Sequence, residues 1–202
     1  MMRKTVVLCI CALVVLIICG SVTISLRPAH DTIQTNSAPD AFCIVSADNY
    51  IVYQTDGQCS AYAAAYVLRH FGKEVTGDKL YMDIHRTFGF VSPKGVARLF
   101  REYGYQAKAY YGDIDTLKKR ISEGVPVIAF ISIPDDTHYV AVVGYDEQYF
   151  YLADSLFGNP GVSKEWYNRK VSTSEFVQIW KTNTLLPDNT YIIVRSAATG
   201  DQ

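Results

Sequence analysis

The chain reads as an α+β protein, helices first and strands second, and three observations carry that reading. The first is the stretch Cys59–Gly72, where Ala, Tyr, Val and Leu recur at helical spacing and a glycine stands as the stop signal. The second is a pair of capped helical segments, 92–103 and 113–123, each followed by glycine. The third is a change of character after Val125. VPVIAFISI and HYVAVVGY are continuous apolar runs separated by a turn, and YFYLAD returns after another, the signature of buried strands. This order packs an N-terminal helical half, including the Cys59 helix, on an antiparallel β-sheet.

The elements follow in turn. Arg3 and Lys4 precede an uncharged apolar run from Thr5 to Leu26. Its most apolar part has signal-peptide length, and the whole is just long enough to span a bilayer. Residues 1–26 are therefore expected to be a signal peptide or an N-terminal membrane anchor. Either one places the remainder outside the cytoplasm, secreted or held to the membrane, because the positive end stays in. Residues 27–42, polar and aperiodic, read as a flexible linker. The folded domain is expected over 43–198, opening with FCIV and YIVY as short extended segments.

A second helix is expected over KLYMDIHRTF, capped by Asp78 or its neighbour and carrying His85. In the third, Ser92 is the N-cap and Pro93 the first helical residue, with Val96, Leu99, Phe100 and Tyr103 on one face. QAKAYY is a strand. Asp113 opens a fourth helix with Ile114, Leu117 and Ile121 inward. Late in the chain, Ser172 and Glu175 form a capping-box pattern for STSEFVQIWKT, and TYIIVRS is the last strand.

Composition excludes some function classes. The net charge is −1 and no basic patch with interleaved aromatics occurs, so no nucleic-acid partner is expected. The histidines and cysteines show neither C-x-x-C nor H-E-x-x-H spacing, so no metal is implied, and nothing calls for a cofactor.

Cys59 is the centre of the functional argument. A turn-prone segment, Thr55 to Gln58, runs straight into it and puts the sulfur in the first helical turn. Unpaired N–H groups and the positive helix end there favour a thiolate over a thiol. Of the four histidines, His30 lies in the linker, His70 lies three turns away at the far end of the helix, and His85 lies on the second helix. His138 opens a very apolar strand directly after a turn. With the following hairpin symmetric about Asp146, position 138 faces Asp154, close enough for a carboxylate to orient an imidazole. Cys59 is then the nucleophile, His138 its base and Asp154 the orienting group. The Cys59 N–H and the Gln54 side chain are candidate oxyanion donors. On this reading activity falls at low pH as the Cys59–His138 charge pair is lost. A Cys43–Cys59 disulfide is the competing use of the two cysteines outside the apolar run.

Gln54, Cys59 at a helix start, a glycine ending that helix, GVPVIAFI, HYVAVVGYD and YLADS together resemble the C39-like cysteine peptidases of the papain-like superfamily. The resemblance covers roughly Tyr53 to Ser196. It implies a papain-like fold and a peptide or protein substrate, with Gln54 in the oxyanion hole, Cys59 as nucleophile, His138 as base and Asp154 as orienting residue. The family commonly has Asp-Cys-Gly at the nucleophile, where this chain has Gln58-Cys59-Ser60. Its best-known members are fused to ATP-driven peptide exporters and cleave after a double glycine. No phosphate-binding GxxxxGK[ST] motif occurs here, so that substrate is not carried over. A non-catalytic peptide-binding module and an acyl-transfer enzyme with the same triad are the alternatives.

Overall fold

The structure, a computed structural model, describes residues 10–15, 26–35, 38–46, 48–55, 57–86 and 89–197 of the chain. Its frame is one mixed sheet with helices on both faces. Three short strands come first: β1 (Ala29–His30), β2 (Phe42–Cys43) and β3 (Ile51–Val52). Three helices follow: α1 (Cys59–His70), α2 (Gly77–Asp83) and α3 (Pro93–Glu102). Then come β4 (Gln106–Tyr111), α4 (Ile114–Ile121), β5 (Val127–Ile133), β6 (Asp136–Tyr145) and β7 (Tyr149–Ala153). The chain closes with β8 (Val162–Ser163), β9 (Arg169–Ser172), α5 (Thr173–Ile179) and β10 (Thr190–Arg195). The main sheet runs β1-β4-β10-β5-β6-β7-β9, with β2 added to β6, and β3 pairs separately with β8. All pairs are antiparallel except β1 with β4.

Helix α1 is seated by its composition. Ala61, Ala64, Ala65, Val67 and Leu68 are fully buried in one cluster with Ile128, Phe130 and Tyr139 of the sheet. Alanine lets a helix approach closely, so this central helix is positioned by packing on nearly every side. Its far end is tied down by Arg69, which donates to the Tyr50 carbonyl at 2.7 Å, and by Asn49, which donates to the Tyr66 carbonyl at 3.0 Å. Gly77 gives α2 room beside it, since a Cβ there would come within 2.3 Å of the Tyr62 ring. On the opposite face a second cluster unites Leu117 and Ile121 of α4 and Phe176 of α5 with Val140, Val142, Phe150, Leu152 and Tyr191 of the sheet.

Several expected caps are in place: the Ser92 side chain accepts from Gly95 N, Asp113 forms a capping box with Thr116, and Ser172 accepts from Glu175 N. Helix α2 differs. Thr76 caps it, and it ends at Asp83 with Ile84 already extended, so His85 stands exposed beyond the helix. The β-branched Ile84 turns inward to the core cluster and takes the chain out of the helix.

Residues 27–42, expected as a flexible linker, are docked over their described part. Ala29 and His30 pair with β4, the Tyr145 hydroxyl donates to the Pro39 carbonyl, and Phe42 pairs with Tyr145. Asp31 is buried and accepts two 2.8 Å hydrogen bonds from the Arg120 guanidinium and a 2.7 Å bond from the Tyr191 hydroxyl. A lone polar aspartate in an aperiodic stretch carries no local mark of such a partner 89 residues away. Most of the expected segment 1–26 lies outside the described residues. Among those described, no helix is long and apolar enough to cross a membrane.

Candidate active site

The approach to Cys59 is built by backbone pairing. Tyr53 N donates to the Gly161 carbonyl at 3.0 Å and Gln54 N to the Ser155 carbonyl at 2.8 Å. Gly57, at φ +57°, supplies the left-handed turn that reverses the chain into α1. Gln58 takes the N-cap position without a side-chain cap bond, and Cys59 is the first helical residue, half-buried against the α1 cluster. Its sulfur is a free thiol, as is Cys43. Cys43 pairs across from Gly144 near the opposite end of β6 from His138. A Cys43–Cys59 disulfide is therefore not formed.

His138 enters from β6, paired with Ile131 of β5, and is 1 % exposed. Its Nε2 makes a 2.7 Å hydrogen bond with Asp154 Oδ1. Cys59 also interacts with His138, and Nδ1 is the ring nitrogen that the bond to Asp154 leaves over. Burial alone would push the imidazole towards neutrality. The bond to Asp154, and then the bond to Cys59, outweigh it and lift His138 to about 9. Asp154, also 1 % exposed, is held below the usual carboxylate range for the converse reason. Burial would raise it, but His138, the Leu156 N–H at 2.9 Å and Arg169 Nη1 at 3.1 Å stabilise the anion.

The register that joins His138 to Asp154 differs from symmetry about Asp146. Asp146 is the turn former. Its Oδ1 accepts from Gln148 N and Tyr149 N at 2.8 and 2.7 Å, and its Oδ2 accepts from the Tyr151 hydroxyl at 2.6 Å. The turn centre lies at Glu147-Gln148, so Tyr145 faces Phe150 and Gly144 faces Tyr151. Continued without interruption, that register would set Asp154 opposite Ala141 and leave His138 on the other face. A bulge at Val143 shifts it, so Val142 faces Leu152 and Ala141 faces Ala153. One step further Asp154 comes opposite Val140, two residues from His138 and on its face, a diagonal rather than a direct pair.

Gln54 is half-buried, and its Oε1 accepts from the Ser155 hydroxyl at 3.0 Å. The remaining histidines stand away from this cluster: His70 ends α1, His85 is exposed beyond α2, and His30 is stacked edge-on against Tyr111.

Three residues around the site were not singled out in the sequence. Arg169 fixes the second oxygen of Asp154. Asn168 accepts from Asp154 N at 2.8 Å, and its amide donates to the carbonyls of Asp154 and Phe157 at 2.8 and 2.6 Å. Ser155 meets Gln54. Gly158, at φ +116°, closes this turn where a Cβ would come within 2.6 Å of the Tyr53 hydroxyl. Asn168 and Arg169 follow a loop-like stretch with no periodicity, so only tertiary contact reveals them. Among the described residues no cluster could hold a metal ion.

A thiol at a helix start, beside an imidazole whose other nitrogen is held by a buried carboxylate, can act as an activated nucleophile. The profile of the Peptidase_C39 like family matches residues 47–185, well over half the chain. The chain belongs to that family. All four residues described above, Gln54, Cys59, His138 and Asp154, fall inside the match to the Peptidase_C39 like family.

A curated relative from Pseudomonas fluorescens, named Probable functional amyloid protease FapD, is 27% identical over 129 residues, 58% of this chain and 54% of that protein. The chain thus spans about half the length of that relative. Among solved structures, a double glycine motif protease from an AMS/PCAT transporter, in complex with the leader peptide, superposes with a TM-score of 0.56. It is 23% identical and covers 73% of this chain and 91% of its own. The peptidase domain of Streptococcus ComA, a bi-functional ABC transporter, superposes with a TM-score of 0.58 at 17% identity, covering 73% of this chain and 98% of its own. The fold is the α+β fold of papain-like cysteine peptidases of the C39 type, and the family and the curated relative support a peptidase role.

Proposed function

We propose that the chain is an exported cysteine peptidase that cleaves peptide bonds through Cys59, His138 and Asp154, with Gln54 as the side-chain oxyanion donor. The observation that carries this reading is the buried 2.7 Å bond between His138 Nε2 and Asp154 Oδ1, which commits one ring nitrogen and leaves Nδ1 to the sulfur. With the ring protonated, the imidazolium stabilises a thiolate beside it. The Cys59 sulfur attacks the scissile carbonyl, and His138 passes its proton to the leaving amine. The negative charge on the carbonyl oxygen is met by the Cys59 N–H at the start of α1 and by the Gln54 amide. Water, deprotonated by His138, then hydrolyses the thioester and restores the free enzyme.

The substrate is a peptide or protein segment, in keeping with the leader peptide bound by the AMS/PCAT relative. Export rests on the apolar run after Arg3 and Lys4, read as a signal or anchor over residues 1–26.

The test is a peptide-library cleavage assay on the purified chain, with Cys59→Ala as control. Cleavage by the parent protein and none by C59A is the expected outcome. No cleavage of any peptide, with Cys59 no more reactive towards iodoacetamide than in His138→Ala, would reduce the site to a binding cleft. Products carrying a new amide in place of a free carboxylate would make it an acyl transferase.

A further inference from the structure

We propose that Ser155 is a positioning residue that aims the Gln54 amide at the reacting carbonyl, so that the dipeptide Asp154-Ser155 orients both the base and the oxyanion donor. The inference rests on the reading of Gln54 as that donor.

Ser155 is 6 % exposed, so its hydroxyl is turned away from bulk water and donates to Gln54 Oε1 at 3.0 Å. The backbone completes a second link between the same two residues, Gln54 N donating to the Ser155 carbonyl at 2.8 Å. A primary amide carries one acceptor and two donors on a single plane. Holding its oxygen sends its NH2 group to the other side, and among the described residues the Gln54 side chain is held through that oxygen alone.

The neighbouring residue serves the other half of the site, Asp154 Oδ1 accepting from His138 Nε2. The dipeptide is itself immobilised. Asn168 brackets Asp154 through both its N–H and its carbonyl and ties in the Phe157 carbonyl, while Arg169 holds Asp154 Oδ2. One short, fixed turn therefore sets the angular position of two groups that must act on the same carbonyl. An oxyanion donor works only when it is aligned before charge develops, which is what a fixed amide plane provides.

The alternative for Ser155 is an ordinary buried hydroxyl that bonds the nearest acceptor. A double-mutant cycle separates the two. The probe is p-nitrophenyl acetate, which acylates a thiolate through the same tetrahedral oxyanion and needs no knowledge of the natural substrate. Iodoacetamide alkylation of Cys59, a displacement with no oxyanion, is the control. Ser155→Ala should slow acylation roughly tenfold to 100-fold, leave the alkylation rate unchanged, and have no further effect in a Gln54→Ala background.

The isosteric pair Ser155→Thr and Ser155→Val keeps the test available if the alanine variant does not fold, with Thr retaining acylation and Val losing it. Acylation at the parental rate in S155A or S155V overturns the proposal. So does an equal slowing in the parental and Q54A backgrounds, or an equal slowing of alkylation. If Q54A alone acylates at the parental rate, the assignment of Gln54 as donor fails, a result distinct from the others.

Discussion

His138 is a buried side chain whose surroundings pull in opposite directions. Burial favours the neutral ring, and the bonds to Asp154 and Cys59 favour the charged one and win, placing its titration near 9. A group raised in this way is protonated across neutral pH and loses its proton as pH rises through that value. The alkaline limb of kcat/KM is therefore expected near pH 9, as a property of the coupled Cys59–His138 pair.

Arg169, paired with Asp154, is expected to modulate that limb. Asp154, after β7, bonds His138, Arg169 on β9 bonds Asp154, and Glu175 of α5 lies 3.8 Å from Arg169. Replacing Arg169 by Met removes a cation from the far side of Asp154, so the imidazolium meets a more negative site and the alkaline limb moves to higher pH. A pH–rate profile of R169M with an unmoved or lowered limb contradicts this. Cys59, His138 and Gln54 stand out in the sequence because each lies at a local discontinuity: a helix start, a polar residue opening an apolar strand, a loop just before Cys59. Arg169, Asn168 and Ser155 have no such mark.

At the level of elements, the β6–β7 hairpin carries the outcome through a single extra residue. Side chains alternate along a strand, so an odd register error turns a residue to the opposite face, while an even one keeps it on the same face. The sequence expectation paired 138 with 154, whereas the observed register brings 154 to 140, a shift of two, and the face is preserved. That preservation depends on the bulge at Val143, which offsets the odd register set by the turn.

Deleting Val143 removes the extra residue and closes the ladder with Val142 still opposite Leu152 and Ala141 still opposite Ala153. His138 then keeps the face of Asp154, so iodoacetamide should alkylate Cys59 at the parental rate in the deletion, as in Val143→Ala. Alkylation of the deletion as slow as that of H138A, with far-UV circular dichroism unchanged, would show that the bend of the bulge, and not the register alone, brings the two side chains together.

Across the whole molecule, the segment before β2 is fastened to the far face of the sheet. Burial alone would raise the Asp31 carboxyl, but the bonds from Arg120, Tyr191 and the Ile33 N–H hold it below its ordinary value. A carboxylate depressed in this way contributes stability that is fully present above the unfolded pKa of about 4 and is lost as pH falls through the lower folded value. Asp31→Asn leaves the buried Arg120 guanidinium with Glu123, 2.9 Å away, as its remaining carboxylate partner. It is expected to cost about 1.5–3 kcal/mol in urea unfolding at neutral pH, the range for lost hydrogen bonds to a charged group. The gap to the parent should stay constant from about pH 5 to 8 and narrow below about 4. A variant as stable as the parent at pH 7 would mean that the segment is held by its strand pairing with β4 alone.

By itself the sequence determined most of the helices, the long strands and their order, because caps, glycine stops and apolar periodicity are local properties written within a few residues. Ser92, Asp113 and Ser172 cap their helices, and the apolar runs from Val127 and His138 are strands, whatever lies elsewhere in the chain. Only the tertiary structure decided which distant groups meet. Asp31 reaches Arg120, Arg169 and Asn168 hold the Asp154 turn, and Ser155 meets Gln54 across 101 positions. Each of these is a polar contact between segments far apart in the chain. Its partner is selected by the need to satisfy a buried charge or hydroxyl once the sheet has closed, and no short-range pattern encodes that requirement.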